Sequence, residues 1–295
     1  MHVLFWSVCT VSLFPAAGKV PGVSGSQVPA RNLRSASHSI MRGTRLLTPL
    51  SGKDSMPEYQ TRLLERIEAA EGTLAFKLEK PAGFEFRAGQ SADLTLLSPR
   101  ETDAGGDIRT FSMASAPSEN TLLFATRLRD TAFKRNLQSM MVDAPIRLEG
   151  PMGSFNLHKN TAKAAVFLAG GIGITPFLSM IREAVSQAGV RQIHLFYSNR
   201  RPEDSAFLGE LQDMSRKHPA FSLVATMTEP EKSKLPWEGE KGFIDAAMLK
   251  RHLATLQGPI YYVAGPPAMV AAMRQLLVNE GVDEDDVRAE DFAGY

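Results

Sequence analysis

The chain has 295 residues, 43% of them hydrophobic and 22% charged, a length that allows about two domains of roughly 150 residues and a balance that excludes collagen, coiled coil and wholesale disorder. Lys and Arg number 33 against 32 Asp and Glu, a net charge of +1, without the basic excess that grips a phosphate backbone, so nucleic acid is not an expected partner. The single cysteine, Cys9, excludes an internal disulfide, a cysteine zinc site and a thiolate-held iron–sulfur cluster, so any cluster chemistry belongs to another polypeptide.

Residues 1–55 hold six basic residues and one acid, Asp54, which leaves 27 basic and 31 acidic residues for 56–295, a net charge of −4. This leading stretch is rich in Ser, Gly and Pro, the composition of a targeting segment or a disordered tail. Two readings stand: a genuine leader, or an upstream extension with Met56 as the true start. The apolar run 3–14, followed by Ala16, Ala17 and Gly18, has some features of a signal sequence. Only His2 precedes it where positive charge is expected, and Ser7, Thr10, Ser12 and Pro15 interrupt it, short of the ~20 apolar residues a membrane span requires. No span is expected, and the expected location is cytoplasmic.

Residues 56–158 read as short apolar runs at 62–67, 73–78, 91–97, 110–114, 122–128 and 146–148, punctuated by Pro81-Ala82-Gly83 and Ala104-Gly105-Gly106-Asp107. Short strands at this spacing predict an antiparallel β-barrel or sandwich, with one helix over 131–141. From Ala164 the pattern changes to buried strand, glycine turn and amphipathic helix. Strands are expected at 165–169, 193–197, 223–226 and 260–264, and helices near 176–187, 206–217, 246–256 and 268–279. This alternation predicts an α/β domain with a parallel sheet over 163–295, the polar stretch 158–163 marking the boundary, and ligands at the carboxyl ends of the strands.

Gly170-Gly171-Ile172-Gly173-Ile174-Thr175-Pro176 follows the first parallel strand and opens a helix. Glycines let backbone approach a phosphate, the helix N-terminus supplies unpaired N–H groups, and Thr175 suits the N-cap with Pro176 at the first helical position. Ala264-Gly265-Pro266-Pro267-Ala268-Met269 repeats the design after the last buried strand. Each motif singly is also what a ligand-free structural turn uses, but two at one edge of one sheet mark where a dinucleotide would lie. In the first half, Arg109-Thr110-Phe111-Ser112 alternates along a strand, so Arg109 and Phe111 share a face. Arg109 is suited to clamp a phosphate, Phe111 to stack on a planar ring and Ser112 to hydrogen-bond a ring edge; a surface Arg beside a core Phe is the competing account.

Arg109-x-Phe111-Ser112, Gly150-Pro151-x-Gly153, Gly170-Gly171-x-Gly173-x-Thr175-Pro176, Gly265-Pro266-x-x-Met269 and Glu290-x-Phe292, in that order across 56–295, resemble the ferredoxin–NADP⁺ reductase superfamily. More narrowly, Asp130-x-Ala132-Phe133-Lys134-Arg135 and the C-terminal Phe-x-Gly-Tyr resemble small stand-alone bacterial flavin reductases. The resemblance implies a barrel that binds FAD, an α/β domain that binds NADH or NADPH, and hydride transfer from nicotinamide to flavin N5. By position, Arg109 matches the flavin pyrophosphate ligand, Phe111 the stacked aromatic and Ser112 the hydroxyl near N5, with Thr110 among them also expected to bind the cofactor. Ala125, Thr126 and Arg127 match the strand beside the flavin, and Ala132, Phe133 and Lys134 the helix start facing the pyrophosphate. Gly170, Gly171, Gly173 and Thr175, with Gly265, Pro266 and Met269, match the nicotinamide-nucleotide turns. Ser112, Glu290 and Phe292 match the residues at the reacting face.

Three departures stand out. Phe111 replaces the usual Tyr and loses a hydroxyl, Ala264 stands where many members carry Cys beside the nicotinamide, and Ala293-Gly294-Tyr295 follow Phe292, so that either aromatic is a candidate to cover the flavin. The choice between NADH and NADPH stays open, because Arg200 and Arg201 suit a 2′-phosphate while Glu229 suits a free ribose diol. His158, His194, His218 and His252 show no metal spacing and no metal is expected. The expected protein is a FAD-dependent NAD(P)H oxidoreductase passing electrons to a separate ferredoxin- or flavodoxin-like acceptor. The alternatives are a flavin, haem-protein or small-molecule reductase, or a flavin-binding regulatory subunit of low turnover.

Overall fold

A computed structural model describes residues 56–187 and 191–292. The expectations for residues 1–55, for Cys9 within them and for Tyr295 lie outside the described residues.

Six strands make the first sheet: β1 (Glu58–Ala70), β2 (Thr73–Glu79), β3 (Ser91–Leu96), β4 (Ile108–Ser112), β5 (Thr121–Arg127) and β6 (Pro145–Met152), in the order β4-β3-β6-β1-β2-β5. One helix, α1 (Ala132–Ser139), connects β5 to β6. Every pairing is antiparallel. The first five residues of β1 pair with β6 and the remainder with β2, with register shifts between Leu63 and Glu65 and between Glu68 and Ala70. Bulges of this kind bend a strand and raise its twist, so one long strand turns the sheet's corner. The inward positions Leu63, Phe76, Leu94, Phe111, Leu122, Phe124 and Leu148 fill the interior, capped by Phe133 and Leu137 of α1. The expected barrel is therefore barrel-like and not closed. Edge strands β4 and β5 share no ladder, and the seam is bridged just past β4, where Ala114 N–H donates to the Leu123 carbonyl at 2.7 Å.

The second sheet is parallel, with β7 (Ala165–Gly170), β8 (Ile193–Asn199), β9 (Phe221–Met227), β10 (Glu240–Lys241), β11 (Ile260–Gly265) and β12 (Val287–Asp291) in the order β10-β9-β8-β7-β11-β12. Its helices are α2 (Ile174–Ser186), α3 (Leu208–Lys217), α4 (Ala246–His252) and α5 (Pro267–Asn279). All six residues of β7 and of β11 are buried, as strands covered on both faces must be. From β7 the order runs outward both ways, to β8 and to β11, so the switch point where open α/β sheets bind ligands lies between β7 and β11. Two helices are shorter than periodicity predicts. Phe207 takes a left-handed φ of 60° and delays α3 to Leu208; α4 is capped by Asp245, whose carboxylate accepts from Met248 N–H at 2.7 Å, and stops at His252 because Leu253 is extended.

The segment 153–164 carries no strand or helix. The two sheets share an apolar core in which Ala75, Ala114, Leu123 and Ala125 of the first half pack with Ile172, Phe177, Tyr262 and Ala264 of the second. Polar contacts fix the same junction: Ser179 Oγ donates to the Ser115 carbonyl at 2.6 Å, and Arg182 reaches Glu210 at 2.7 Å and Glu119 at 3.3 Å.

Candidate functional site

At the carboxyl end of β7, Gly171–Gly173 form a single 3-10 turn and α2 begins at Ile174 with Gly173 as its N-cap. Thr175 is therefore not the cap: it is the second helical residue, buried, and its hydroxyl donates to the Ile172 carbonyl at 3.1 Å. Pro176 is the third helical residue, not the first, and still costs no hydrogen bond, because first-turn N–H groups lack intrahelical partners. The glycines divide by role. A Cβ on Gly173 would overlap the Ala264 carbonyl, and one on Gly170 the Met269 sulfur, so these two let the turns after β7 and β11 pack against each other. Gly171, with φ +54°, would meet nothing; its missing side chain leaves open space.

That space is part of a cleft of about 640 Å³ lined by the expected Gly170, Gly171, Gly265, Pro266 and Met269, together with Arg127 from β5 of the first sheet. Ser198, Asn199, Arg200 and Thr228, at the ends of β8 and β9, complete its far side. Arg129, Asp204 and Phe243 also line it, and nothing in the sequence singles them out. Phe243 follows a glycine in an aperiodic segment, and its 79% exposure is a tertiary fact. The two arginines 200 and 201 separate: Arg200 faces the cleft, whereas Arg201 turns back to Asp204, with two bonds of 3.0 Å, and to Glu71 at 3.5 Å.

Asp204, only 6% exposed, also lies 3.6 Å from Arg127, whose guanidinium donates to Thr73 Oγ1 at 3.0 Å and to the Glu71 carbonyl at 3.2 Å. Burial pushes the Asp204 carboxyl up, but the Arg201 hydrogen bonds and the Arg201 and Arg127 charges prevail and hold it below the usual range. Arg127 thus spans the junction between the sheets on an ionised acid.

The Arg109–Ser112 strand lies elsewhere in the site. Arg109 donates to the carbonyls of Gly105 at 2.6 Å and Ile108 at 2.7 Å, and its guanidinium covers the Phe133 ring at 5.2 Å. Thr110 is exposed and bonded to Asp93. Phe111, 6% exposed, is edge-on to Phe76 at 5.6 Å and tilted on Phe133 at 5.9 Å. Its expected stacking position is therefore not the one it occupies, because the alternation that gives it Arg109's face points it into the core. Ser112 is buried opposite Ser91. Ala125 and Thr126 are buried on β5. Ala132, Phe133 and Lys134 form the first turn of α1, with Lys134 N–H bound to Thr131 Oγ1 at 3.3 Å. The Ala132 N–H is held by a carboxylate, Asp103 Oδ2, at 2.7 Å, with Arg109 3.9 Å from the other oxygen. An anion is thus already accommodated between this helix start and Arg109, which suits the donor set to a pyrophosphate.

On β12, Glu290 stands opposite Ala264, its Oε2 buried without a hydrogen-bond partner. Burial, followed by the neighbouring Asp291, raises its pKa. Phe292 N–H donates to the Gly265 carbonyl at 3.0 Å, and its ring packs on the cluster containing Ala125, Ile172 and Ala264. Among the described residues no group of three or more His, Cys, Asp or Glu is arranged to hold a metal, and no helix is long and apolar enough to cross a membrane.

A curled antiparallel sheet joined to a parallel sheet whose two glycine turns open on a shared cleft is an architecture that places a dinucleotide at the switch point. Residues 167–275 match the family described as Oxidoreductase NAD-binding domain. The glycine betaine monooxygenase reductase subunit of Chromohalobacter salexigens is 28% identical over 223 residues, 75% of this chain and 60% of that one. Ferredoxin–NADP reductase B of Sorangium cellulosum is 29% identical over 228 residues, 74% of this chain and 90% of that one. The crystal structure of a ferredoxin NADP⁺ reductase from Neisseria gonorrhoeae with bound FAD and NADP superposes with a TM-score of 0.66 at 21% identity, covering 79% of this chain and 98% of that one. The chain carries an oxidoreductase NAD-binding domain over residues 167–275 and is similar, over about three-quarters of its length, to reductase components of oxygenases and to a ferredoxin–NADP reductase. It spans about three-fifths of the length of the first curated relatives it matches.

Proposed function

We propose that the protein is a cytoplasmic FAD-dependent NAD(P)H oxidoreductase that passes electrons to a separate ferredoxin- or flavodoxin-like protein. The observation that carries it is the cleft itself, in which Arg127 of the first sheet meets the Gly171 and Gly265 turns of the second. Residues 56–158 form the flavin domain and 163–295 the nicotinamide domain. When bound, the flavin accepts a hydride at N5 and passes electrons on; the protein's part is to hold and align.

Gly171 and the start of α2 receive the dinucleotide's phosphates, and Arg200 faces the cleft where a 2′-phosphate would be met, which favours NADPH. Arg109 and the start of α1 hold the flavin pyrophosphate. Phe111 contributes to the barrel wall, and for it to stack on a ring it must leave the Phe76 cluster. Ser112 and Glu290 are the polar groups of the reacting face, and Phe292, anchored on Gly265, covers it and moves for nicotinamide to enter. Relatives named as reductase components of oxygenases favour a separate acceptor.

The test is an anaerobic titration of the purified full chain, loaded with FAD, by NADH and NADPH separately. Rapid bleaching of the flavin band, faster with NADPH, is expected. A chain that binds no FAD overturns the reading, and one that binds FAD without bleaching is the low-turnover regulatory subunit instead.

A further inference from the structure

The connection from β3 to β4, residues 97–107, is fastened along α1. Asp103 accepts from Ala132 N–H at 2.7 Å and from Gly105 N–H at 2.9 Å. Glu101 forms a two-pronged pair with Arg135 at 2.8 and 2.6 Å, and its carbonyl accepts from Asn136 Nδ2 at 2.7 Å. The amide oxygen of Asn136 in turn accepts from Arg100 N–H at 2.8 Å. Positive φ at Ser98 (59°) and Gly106 (70°) marks sharp backbone turns near both ends of the segment. Arg109 closes the arrangement by donating into the carbonyls of Gly105, Gly106 and Ile108.

We propose that residues 98–107 are a strap whose Asp103 carboxylate occupies the position of the cofactor's pyrophosphate, so that FAD uptake requires the strap to lift. This rests on the proposed FAD assignment. The physical reason is competition for one set of donors. The Ala132 N–H and the Arg109 guanidinium are the groups a pyrophosphate would take, and each is engaged by the strap. A carboxylate and a phosphate cannot share one N–H, and their like charges repel at that distance. Ala132 N–H sits at the positive end of α1, where an anion is favoured whether it belongs to the chain or to a ligand. Asp103 thereby satisfies the helix start, and the glutamate and asparagine contacts dock the strap without entering the anion position.

The test is a titration of flavin-stripped full chain with FAD, followed by quenching of flavin fluorescence, for wild type and Asp103→Asn. Removing the charge weakens a charge-assisted bond, so FAD binds about tenfold tighter, with a faster association rate. As a measurement that needs no variant, trypsin cleaves wild type after Arg100 faster with FAD bound than without, because the strap has lifted. Equal or weaker FAD binding by a folded Asp103→Asn overturns the strap, as does cleavage at Arg100 that FAD slows or leaves unchanged. Failure of wild type to bind FAD at all overturns the cofactor assignment, whereas FAD binding with unaltered Asp103→Asn affinity overturns the strap alone.

Discussion

Glu290 and Ala264 face each other across the parallel pair β12 and β11, one register step before Asp291 and Gly265. A carboxyl with a buried, unpartnered oxygen therefore sits beside the smallest side chain at the strand end that enters the cleft. Burial raises its pKa. An acid with a raised folded pKa contributes most below its unfolded value, and that contribution is lost as pH rises from the ordinary glutamate range through the folded value. Glu290→Gln is thus expected to match wild type in urea midpoint near pH 4 and to exceed it at pH 8. A constant offset at both pH values would contradict this.

Phe292 is fixed by its backbone to Gly265 while its ring rests on the cluster shared by both sheets. Phe292→Ala removes that cover without touching the glycine turns. The expected outcome is changed nicotinamide affinity or changed NADH-to-NADPH discrimination, read by stopped-flow flavin reduction. Unchanged kinetics with both nucleotides would take the gate away from this residue.

Asp204 joins Arg201 and Arg127 across the junction of the sheets. Asp204 is buried while both arginines keep access to water, so Asp204→Asn, which weakens its charge-assisted bonds, is expected to cost roughly 2 kcal/mol in equilibrium unfolding. A loss near zero would mean that Glu71 alone suffices to hold Arg201.

His158, buried between Tyr262 and Arg191, has its pKa lowered by burial and then by the Arg191 charge. A base with a depressed folded pKa favours folding while neutral, and stability is lost as pH falls from the ordinary histidine value of 6.5 towards the folded one. Thermal midpoints at pH 7.5 and 5.5 should diverge more for wild type than for His158→Gln. Equal divergence would place the pH response elsewhere.

Periodicity and the placement of glycine carried the part of this protein that its sequence alone determined. Alternating short runs read as an antiparallel sheet, all-buried runs followed by glycine turns read as a parallel one, and the strands and turns after β7 and β11 were legible because covered strands and tight strand-to-helix turns admit few residue types. Tertiary structure decided what depends on where chains meet. It placed Gly173 against Ala264 and Gly170 against Met269, and left at Gly171 a position where a side chain would meet nothing. It sent Arg200 and Arg201 in different directions, buried Phe111 among Phe76, Phe124 and Phe133, and brought Asp103 to the start of α1, 29 positions away. These contacts join residues distant in sequence through sterics and charge, and no local spacing encodes which of two adjacent arginines finds an acid or which loop carboxylate reaches a helix end.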